Sequence, residues 1–405
     1  MTKLAIFFLD ALRFQDLNAE NTPFLASISR EGVSGPLETL LAYEGLAATL
    51  FSGAYPSIHG IWTRYYSDPT RSPFRWITPF ARILKALDGS SSLISKAVRY
   101  EVMRLSELLA GQSYFPGIDE VPFRQLARMN FSLKRNLYEP GCFGIVPSLF
   151  DIFRKERVTF RYFDHHVLDS DSSVFRRALS AHVDEDVVVV RLVDLDTESH
   201  RFGLESLERI QALRRTDSYV EGIVTKWRRE SPRLAVMCFA DHGMVPVKHY
   251  LDVAGHLEAQ GLQPFHDLNM FLDSTMARFW GEGEVLERVG TALAKLPVGK
   301  ILSDSDKRLL HIPPSPSVGQ VIFLLPPGYA IFPSFFETER QIRAMHGYDP
   351  RTPGLETIFV LQSPEAGAVP RKLARPRMVD IVPTTLELLG LRTPQYCEGS
   401  SLLGS

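Results

Sequence analysis

Short apolar runs in this sequence are followed directly by residues that can bind metal ions. Three junctions share the pattern: Leu4–Leu9 before Asp10, Val187–Val193 before Asp194-Leu-Asp196-Thr-Glu-Ser-His200, and Leu234–Ala240 before Asp241-His242. Carboxylate oxygens and neutral imidazole nitrogens are ligands that Zn²⁺ accepts. Two divalent ions held close together can clamp a phosphoryl group and neutralise the charge that develops during its transfer. We therefore expect these segments to build a metal centre suited to phosphoryl chemistry.

The spacing within two of these segments limits how they can bind a metal. Asp196 and His200 are four residues apart, so both side chains can reach one ion if the segment begins a helical turn. Asp241 and His242 are adjacent and cannot share a helix face, but neighbours on an irregular loop can converge on one ion. A single aspartate after a strand is usually an N-cap or turn residue. Three such clusters, with two histidines among them, instead indicate a shared site.

The elements that must position these residues are those of an α/β fold. The three runs and Thr357–Leu361 are short and almost wholly apolar, which is typical of strands buried on both faces of a sheet. Helical periodicity lies between them, for example over Leu204–Trp227 and Ile381–Leu389. Strands that alternate with helices predict a central, mainly parallel sheet sandwiched by helices. Ligands of such sheets bind beyond the carboxyl ends of the strands, so the acidic segments are expected to meet there.

Two regions interrupt this alternation. Tyr65–Gly144 is rich in aromatic residues, Ser, Arg and Pro, and Glu282–Tyr329 contains several closely spaced prolines. Both keep enough apolar residues for ordered structure, so we interpret them as caps over a site. The predicted organisation is a metal-binding catalytic core of residues 1–66, 187–275 and 336–405, an inserted cap region of residues 67–186, and a smaller inserted cap region of residues 276–335.

Composition excludes several classes of protein. The chain has 405 residues, of which 45% are hydrophobic and 23% charged, as in ordinary globular proteins and unlike disordered ones. Its 45 basic and 47 acidic residues give a formal net charge of −2. No overall positive field therefore attracts the chain to a nucleic-acid polymer or to an anionic membrane surface. An anionic substrate must be held locally, by metals, helix N-termini or a few arginines.

The cysteines and the first apolar run bear on location. Cys142, Cys238 and Cys397 are odd in number and lack CxxC spacing, which argues against a disulfide framework and a cysteine–zinc cluster. The run Leu4–Leu9 is too short to cross a bilayer and has no small-residue cleavage site after it. We expect a cytoplasmic protein without membrane insertion, and the sequence predicts no oligomeric state.

Further motifs extend the pattern along the chain in a fixed order. They are Thr22-Pro-Phe-Leu25, Glu31-Gly-Val33, Ser52-Gly-Ala-Tyr-Pro56, His59-Gly-Ile61, His346-Gly-Tyr-Asp349, Val379-Asp-Ile-Val-Pro383 and Leu388-Leu-Gly390. Together with the acidic clusters they resemble the alkaline phosphatase superfamily, and most closely its nucleotide pyrophosphatase and type I phosphodiesterase branch. The resemblance covers the predicted core and not the predicted caps.

The resemblance implies two divalent metal ions, each with three protein ligands. The two implied ligand sets are Asp196, His200 and His346 for one ion, and Asp10, Asp241 and His242 for the other. Zn²⁺ is the expected ion, and the same ligands accept Mn²⁺. Only the resemblance draws attention to His346, because an isolated His-Gly pair is usually part of a loop. His59 belongs to a His-Gly-Ile turn that is structural in the family.

The nucleophile of the family is missing from this sequence. The family has a Thr or Ser, or in sulfatases a modified Cys, that attacks phosphorus or sulfur and also ligates the second metal. Where the family spacing before Gly53 places this residue, the chain has Tyr43. The sulfatase pattern of Cys or Ser followed by x-Pro-x-Arg is also absent, which argues against sulfate esters.

Three explanations remain open, and they predict different chemistry. In the first, Glu44 fills the vacant ligand position or acts as a general base, and an activated water attacks directly in one step. In the second, the Tyr43 phenol is ionised by a neighbouring divalent cation and is itself the nucleophile. In the third, a small shift of the loop brings Thr39 or Thr49 to the position.

Other polar residues near the strand ends are less clearly linked to the metal centre or to catalysis. Asp164-His165-His166 follow the strand-like run Val158–Phe163 and are expected at the surface or behind the metal ligands. The guanidinium group of Arg13, whose N–H groups form a planar fork, can donate hydrogen bonds to a phosphate oxygen. Alternatively, Arg13 can lie on a helix surface.

The expected function is that of a metal-dependent hydrolase of phosphate mono- or diesters with an atypical nucleophile position, acting on a small phosphorylated substrate. The alternative enzyme is a phosphomutase-like or other phosphoryl transferase of the same superfamily. The alternative non-enzyme is a metal-binding pseudoenzyme that recognises a phosphorylated ligand. The cap residues match no pattern that identifies the substrate.

Overall fold

The four apolar runs of the sequence form adjacent strands of one central sheet. The computed structural model of the protein describes residues 3–88, 92–112, 114–115, 117–264, 268–337, 341–364 and 370–404. Within these residues the strands are β1 (Leu4–Leu9), β2 (Val33–Leu37), β3 (Tyr65–Ser67), β4 (Met129–Phe131), β5 (Phe160–Asp164), β6 (Val187–Leu192), β7 (Ala235–Phe239), β8 (Val245–Pro246), β9 (His249–Leu251), β10 (Asn269–Leu272), β11 (Met276–Trp280), β12 (Lys300–Ile301), β13 (Val321–Leu324), β14 (Tyr329–Ile331), β15 (Ala344–Met345), β16 (Thr357–Gln362) and β17 (Arg371–Lys372). The apolar runs correspond to β1, β6, β7 and β16.

The central sheet contains seven strands of the described chain, in the order β17-β2-β16-β7-β1-β6-β5. β7, β1, β6 and β5 are parallel neighbours, and β2 is parallel to β17. β16 is antiparallel to both of its neighbours, β2 and β7. The predicted mainly parallel sheet is therefore confirmed.

The register of the central strands brings the acidic segments together. Phe8 of β1 lies opposite Arg191 of β6 on one side and opposite Phe239 of β7 on the other. The three strands therefore end at nearly the same level. Asp10 and Asp241 follow within two residues of these paired positions, so both lie at the carboxyl edge of the sheet.

The helices of the described residues account for most of the remaining regular structure. They are α1 (Pro23–Glu31), α2 (Glu44–Ser52), α3 (Pro56–His59), α4 (Ala81–Leu84), α5 (Leu93–Ala110), α6 (Phe123–Leu126), α7 (Leu149–Glu156), α8 (His165–Leu168), α9 (Asp171–Ser180), α10 (Asp194–Phe202), α11 (Leu207–Glu230), α12 (Val253–Ala259), α13 (Gly283–Leu293), α14 (Asp304–Leu309) and α15 (Ile381–Leu388). Short 3₁₀ turns cover Phe14–Asp16, Arg75–Phe80, Lys85–Leu87, Pro316–Val318 and Met378–Asp380. The periodicities noted over 204–227 and 381–389 correspond to α11 and α15.

Helices cover both faces of the central sheet, as predicted for the sandwich. Successive residues of a strand point to opposite faces. Phe7 packs against Trp227 of α11, with ring centroids 6.4 Å apart, whereas Phe8 packs against Phe51 of α2 at 6.0 Å. All four rings are fully buried. Burying side chains of this size on both faces contributes roughly 1.5–3 kcal/mol per residue to folding.

A second, antiparallel sheet stands beside the first, with strand order β10-β11-β13-β12. Its centre holds a fully buried ion pair, in which Nε of Arg278 lies 2.7 Å from a carboxylate oxygen of Asp273. Nη1 of Arg278 also donates to the backbone oxygens of Tyr65 and Val318. These bonds join the second sheet to β3 and satisfy a buried cation that would otherwise be strongly destabilising.

Two predicted domain boundaries fall inside units of the structure. β5 lies within residues 67–186, the region interpreted as a cap, yet it pairs in parallel with β6 in the central sheet. β10 and β11 lie on opposite sides of the boundary at residues 275 and 276, yet they pair with each other in the second sheet. Residues 89–91, 113 and 116 of the larger predicted cap lie outside the described residues.

Two further features concern the cysteines and the helices of the chain. Cys142, Cys238 and Cys397 are free thiols. Among the described residues, no helix combines the length and the apolar composition that crossing a membrane requires.

Candidate metal centre

The first group of candidate ligands joins two adjacent strands of the central sheet. Asp10 follows β1, and Asp241 and His242 follow β7. Nε2 of His242 lies 3.3 Å from Oδ1 of Asp10 and 3.8 Å from Oδ2 of Asp241. All three residues are buried. Their potential ligand atoms lie within 4.8 Å of one another, so they can share one ion.

The second group combines one helix with a distant loop. Asp196 and His200 lie one turn apart on α10, with Nε2 of His200 3.2 Å from Oδ1 of Asp196. His346 follows β15, which pairs with β8 just after the Asp241 segment. The structure thus places Asp196 and His200 on the helical turn that their spacing allowed, and brings His346 to within 4.8 Å of both.

The two groups are in direct contact and form a single centre. Nε2 of His242 in the first group lies 3.7 Å from Oδ1 of Asp196 in the second. The rings of His242 and His346 stack with their centroids 3.6 Å apart. Two neighbouring ions could therefore be held by six side chains of this chain alone.

The hydrogen bonds of the imidazoles leave ligand atoms free. Nδ1 of His200 is 2.8 Å from the backbone oxygen of Ala344, and Nδ1 of His242 is 3.1 Å from that of Gly243. A carbonyl partner makes Nδ1 the protonated nitrogen and leaves the Nε2 lone pair for a metal. Among the described residues, Oδ1 of Asp196 and Nδ1 of His346 are buried without a hydrogen-bond partner. Buried polar atoms are seldom left unpaired, so the residues present fit a pair of bound cations.

Charge at the centre also favours a cation. Burial alone would raise the pKa of Asp10, but the hydrogen bond from His242 and the charge of Arg191 lower it below its usual range. Burial, followed by the neighbouring Asp10 carboxylate, raises the pKa of Asp241 to about 7. Burial opposes protonation of His242, yet the Asp241 and Asp10 carboxylates raise its pKa to about 10. The concentrated carboxylates thus stabilise positive charge at this place, which a divalent ion would supply.

The start of α10 is fixed by a carboxylate from a neighbouring helix. Both carboxylate oxygens of Asp171 accept the backbone N–H of Val193 at 2.9 and 3.1 Å, and Oδ2 accepts that of Asp194 at 2.9 Å. Nδ1 of His165 lies 2.7 Å from Oδ1 of Asp171 and holds it in place. His165, Asp171 and Asp194 are close enough to bind an ion, but these backbone bonds already occupy the Asp171 carboxylate. We therefore assign Asp171 and His165 to positioning the helix that carries Asp196.

A cavity of about 520 Å³ lies against the metal centre, and all six candidate ligands line it. Other lining residues come from the start of α2 (Tyr43, Glu44, Leu46 and Ala47), from the sheet edge (Asp164, His166 and Arg191), from the larger predicted cap (Tyr114, Leu133, Arg135, Asn136 and Leu137), and from positions just outside the predicted caps (Arg64 and Phe336). This volume suits a small molecule.

Tyr43 is the residue before the first turn of α2 and lines the cavity, and its hydroxyl is held by Thr275. Its hydroxyl lies 2.8 Å from Oγ1 of Thr275, which donates at 2.5 Å to the backbone oxygen of Gly347. Its ring meets the ring of His346 edge-on at 5.4 Å. Burial, followed by the charge of Asp273, raises the pKa of Tyr43 above its ordinary value. The phenol is therefore held neutral and engaged with Thr275.

Glu44 is the first residue of α2 and lines the cavity. Its Oε1 accepts a hydrogen bond from Nε of Arg64 at 3.1 Å. Nη1 of Arg64 in turn donates to both carboxylate oxygens of Asp119 at 3.1 Å. The arginine thus holds the Glu44 carboxylate in a fixed orientation at the cavity edge.

Both threonines considered as shifted nucleophiles are engaged elsewhere. Oγ1 of Thr39 donates to the backbone oxygen of Asp241 at 2.8 Å. Oγ1 of Thr49 lies 3.1 Å from Nε2 of His59, whose Nδ1 accepts the backbone N–H of Ile61. Neither threonine lines the cavity. Burial lowers the pKa of His59 to about 3, as expected for a neutral imidazole that holds the turn after α3.

Arg191 is a functional candidate that the sequence reasoning missed. It lies near the end of β6, and its Nη2 donates to Oδ2 of Asp10 at 3.1 Å. Its guanidinium stands 4.5 Å from the ring centroid of Phe8, and its buried Nε has no partner among the described residues. The alternation of β6 could have revealed it, because Val189 and Arg191 point to the same face and only the latter reaches the carboxyl end of the strand.

The structure places the remaining polar candidates either at the cavity or away from it. Asp164 is buried, lines the cavity and accepts a hydrogen bond from the Tyr138 hydroxyl at 2.7 Å. His166 lines the cavity as well. Arg13 is buried away from it, in an ion pair with Asp16 at 2.7 Å.

Comparisons with known proteins agree with this architecture. The family model described as "Type I phosphodiesterase / nucleotide pyrophosphatase" matches residues 4–349. Human ectonucleotide pyrophosphatase / phosphodiesterase 5 is similar in structure, with a TM-score of 0.72 at 15% identity over 98% of this chain and 97% of that chain. The murine form gives 0.71 at 14% over 98% of each chain, and its inactive variant in complex with AMP gives 0.70 at 15% over 99% and 98%. No curated protein sequence matches significantly. At these identities the solved structures show a shared alkaline phosphatase-like fold.

Proposed function

Because the chain belongs to the type I phosphodiesterase / nucleotide pyrophosphatase family, we propose that it hydrolyses phosphate mono- or diesters of a small phosphorylated molecule. The observation that carries the proposal is the convergence of two Asp/His groups at one cavity. These donors suit Zn²⁺ and also accept Mn²⁺. Two such ions, when bound, supply Lewis-acid chemistry and neutralise negative charge on the phosphoryl group.

Glu44 is the residue that we propose as general base. Its Oε1 is engaged by Arg64, which orients the carboxylate so that Oε2 can take a proton from a water in the cavity. The water oxygen then attacks phosphorus while the bond to the leaving-group oxygen breaks, in a single displacement. The leaving-group oxygen departs with the bonding electron pair and takes a proton from solvent, and Glu44 later returns its proton to solvent. A positioned general base contributes about 10²–10⁴-fold to such a step.

Tyr43 has a supporting role in this proposal. A nucleophilic phenol would have to leave Thr275 and lose its proton in surroundings that raise its pKa. The ring instead packs against His346 and limits where that imidazole can turn. Tyr43 is therefore a positioning residue for one candidate ligand.

Arg191 is proposed to bind the phosphoryl group. When Asp10 binds a cation, its negative charge is shared with that ion, and the guanidinium of Arg191 remains at the cavity with Nε unpaired. Charge-assisted hydrogen bonds from arginine to phosphate oxygens are among the stronger polar contacts in proteins.

Replacing Arg191 by methionine should raise KM for a phosphate ester by about ten- to a hundredfold, because one charged hydrogen bond contributes roughly 1.5–3 kcal/mol. kcat should fall less than KM rises. Arg191→Lys keeps the charge and should recover part of the loss. Steady-state kinetics of the three proteins, with metal content measured in parallel, tests this. Equal KM values in wild type and Arg191→Met would contradict the assigned role.

The cavity also indicates what kind of ester to test. An aromatic and apolar wall, formed by Tyr114, Leu133, Leu137 and Phe336, stands beside the ionic ligands. Such a wall suits a leaving group with a flat or apolar part. Nucleotides combine a flat base with a phosphate, and the inactive murine relative is in complex with AMP. Nucleotide esters are therefore the first natural substrates to examine, and a nucleic-acid polymer is not expected.

The test of the proposed function is hydrolysis of paired chromogenic phosphate mono- and diesters by the full chain loaded with Zn²⁺ or Mn²⁺. Turnover that a chelator removes and added metal restores would support it, and the ratio of the two rates would identify the ester class. Product analysis in heavy-oxygen water separates hydrolysis, which incorporates solvent oxygen into phosphate, from the alternative phosphoryl transfer, which does not. Two bound metals per chain without turnover of any ester would instead favour the pseudoenzyme. The cytoplasmic location remains a prediction.

A further inference from the structure

The described part of the cap between residues 80 and 110, namely 80–88 and 92–110, carries a concentration of exposed apolar side chains. Its exposed large hydrophobic residues, ranging from 39% to 85% exposed, are Phe80, Ile83, Leu93, Ile94, Tyr100, Leu105, Leu108 and Leu109. We call this set the apolar ridge. Single exposed apolar residues are common, but a set of this size within one short stretch marks an interaction surface.

Six of the eight ridge residues lie on α5. Ile94, Leu105 and Leu108 are spaced so that they lie on one stripe of the helix. The opposite stripe faces the protein, where Nη1 of the buried Arg99 donates to the backbone oxygen of Val121 at 2.9 Å. The helix therefore cannot rotate to bury the ridge without breaking a buried polar contact.

Positive charge accompanies the ridge. Residues 80–110 contain five basic and three acidic residues, although the whole chain has a net charge of −2. Two of the acidic residues are paired within the cap: Asp88 with Arg99, and Glu101 with Arg104. Arg82, Lys85 and Lys96 are exposed on the same segment.

We propose that the apolar ridge docks the protein onto the surface of an anionic lipid bilayer. Amphipathic helices bind there by inserting apolar side chains at the headgroup boundary while basic side chains attract anionic lipids. Exposures such as 85% for Leu93 and 71% for Leu108 belong to side chains that project from the surface. A projecting ridge suits insertion between lipids better than it suits a protein groove.

Charge also argues against a second copy of the chain as the occupant. In a two-fold symmetric contact the same patch meets itself. The basic residues Lys85 and Lys96 would then lie in an interface with the same basic patch of the partner, whereas anionic headgroups offer the opposite charge. The overall charge of the chain gives no reason for membrane attraction, so any such binding must come from this local surface.

The ridge is connected to the cavity but does not form part of it. Nη1 of Arg99 on α5 also donates to the backbone oxygen of Asp119, whose carboxylate binds Arg64 beside Glu44. No residue of α5 lines the cavity. Lipid docking can therefore be measured without turnover, and its failure is distinguishable from failure of the proposed hydrolysis.

The test is sedimentation of the full chain with vesicles of phosphatidylcholine alone or with about a third of phosphatidylglycerol. The wild type should partition onto the anionic vesicles and much less onto the neutral ones. The double variant Ile94→Glu/Leu108→Glu should lower the partition coefficient at least about tenfold, because it removes inserted apolar area and adds repelled charge. Lys85→Glu/Lys96→Glu should have a comparable effect.

The matched control is Ile145→Glu/Leu207→Glu, which changes apolar side chains that are 83% and 63% exposed outside the ridge. It should bind vesicles as the wild type does. A wild type that stays in the supernatant with anionic vesicles would overturn the proposal. A second result would also overturn it: the wild type is a dimer that binds no vesicles, and the variant Ile94→Glu/Leu108→Glu is a monomer. The ridge would then be a self-association surface.

Discussion

Replacing Asp241 by asparagine should lower kcat/KM for phosphate ester hydrolysis by at least about a thousandfold, since the Lewis-acid contribution of metal ions amounts to several kcal/mol. The asparagine keeps nearly the same shape but loses the negative charge. The buried group it belongs to would then retain only Asp10 and His242 as ligands. Metal content should fall together with the rate, which elemental analysis of the purified variant measures.

A matched control for this variant is Asp217→Asn, which changes another buried aspartate. Asp217 accepts the backbone N–H groups of Phe24 and Leu25 at the start of α1 and lies outside the cavity. It should bind metal and hydrolyse esters as the wild type does, even if its unfolding free energy is lower. If the Asp241→Asn protein keeps both metals and at least a tenth of the wild-type activity, Asp241 is not a metal ligand and the prediction is wrong.

The paired variants Glu44→Gln and Tyr43→Phe should have very different effects on turnover. Glu44→Gln should lower kcat about a hundredfold or more, because the amide cannot accept the proton of the attacking water. It can still accept the hydrogen bond of Arg64, so the wall of the cavity should be preserved. Tyr43→Phe loses only the hydroxyl contact with Thr275 and should change kcat by less than about threefold if Tyr43 merely positions His346.

The reverse pattern would establish covalent catalysis. An inactive Tyr43→Phe protein, together with a phosphorylated Tyr43 peptide trapped during turnover, would make the phenol the nucleophile. Full activity of Glu44→Gln would remove the carboxylate from any essential role. Peptide mass spectrometry after rapid quenching, beside steady-state kinetics, separates these results.

Local sequence patterns were sufficient to indicate most of the candidate metal ligands that the structure brings together. Asp10 and Asp241 follow apolar runs that become neighbouring parallel strands, so their meeting follows from the topology of an α/β sheet. Asp196 and His200 share a helical turn that their spacing already allowed. His346 has no such local pattern, because its place depends on the pairing of β15 with β8. Only the ordered resemblance of the whole chain could indicate it.

Features that depend on contacts between distant residues could not be predicted in this way. The hydroxyl of Tyr43 finds its partner in Thr275, which is 232 positions away. The same holds for Glu44, whose orientation depends on Arg64 and Asp119. Position in the sequence left both Tyr43, as a nucleophile, and Glu44, as a ligand or general base, open as explanations. Only their partners distinguish a neutral, anchored phenol from a carboxylate at the cavity.

Because β16 lies near the end of the chain, the central sheet can be completed only late in protein synthesis. This strand is inserted between β2 and β7 and hydrogen-bonds both, so β2 can join the sheet only after residues 357–362 have been made. Until then a nascent chain on the ribosome has the β7 edge open, and open strand edges promote aggregation. Chains that stop before residue 357 should therefore accumulate as insoluble or degraded material even though they contain every candidate metal ligand.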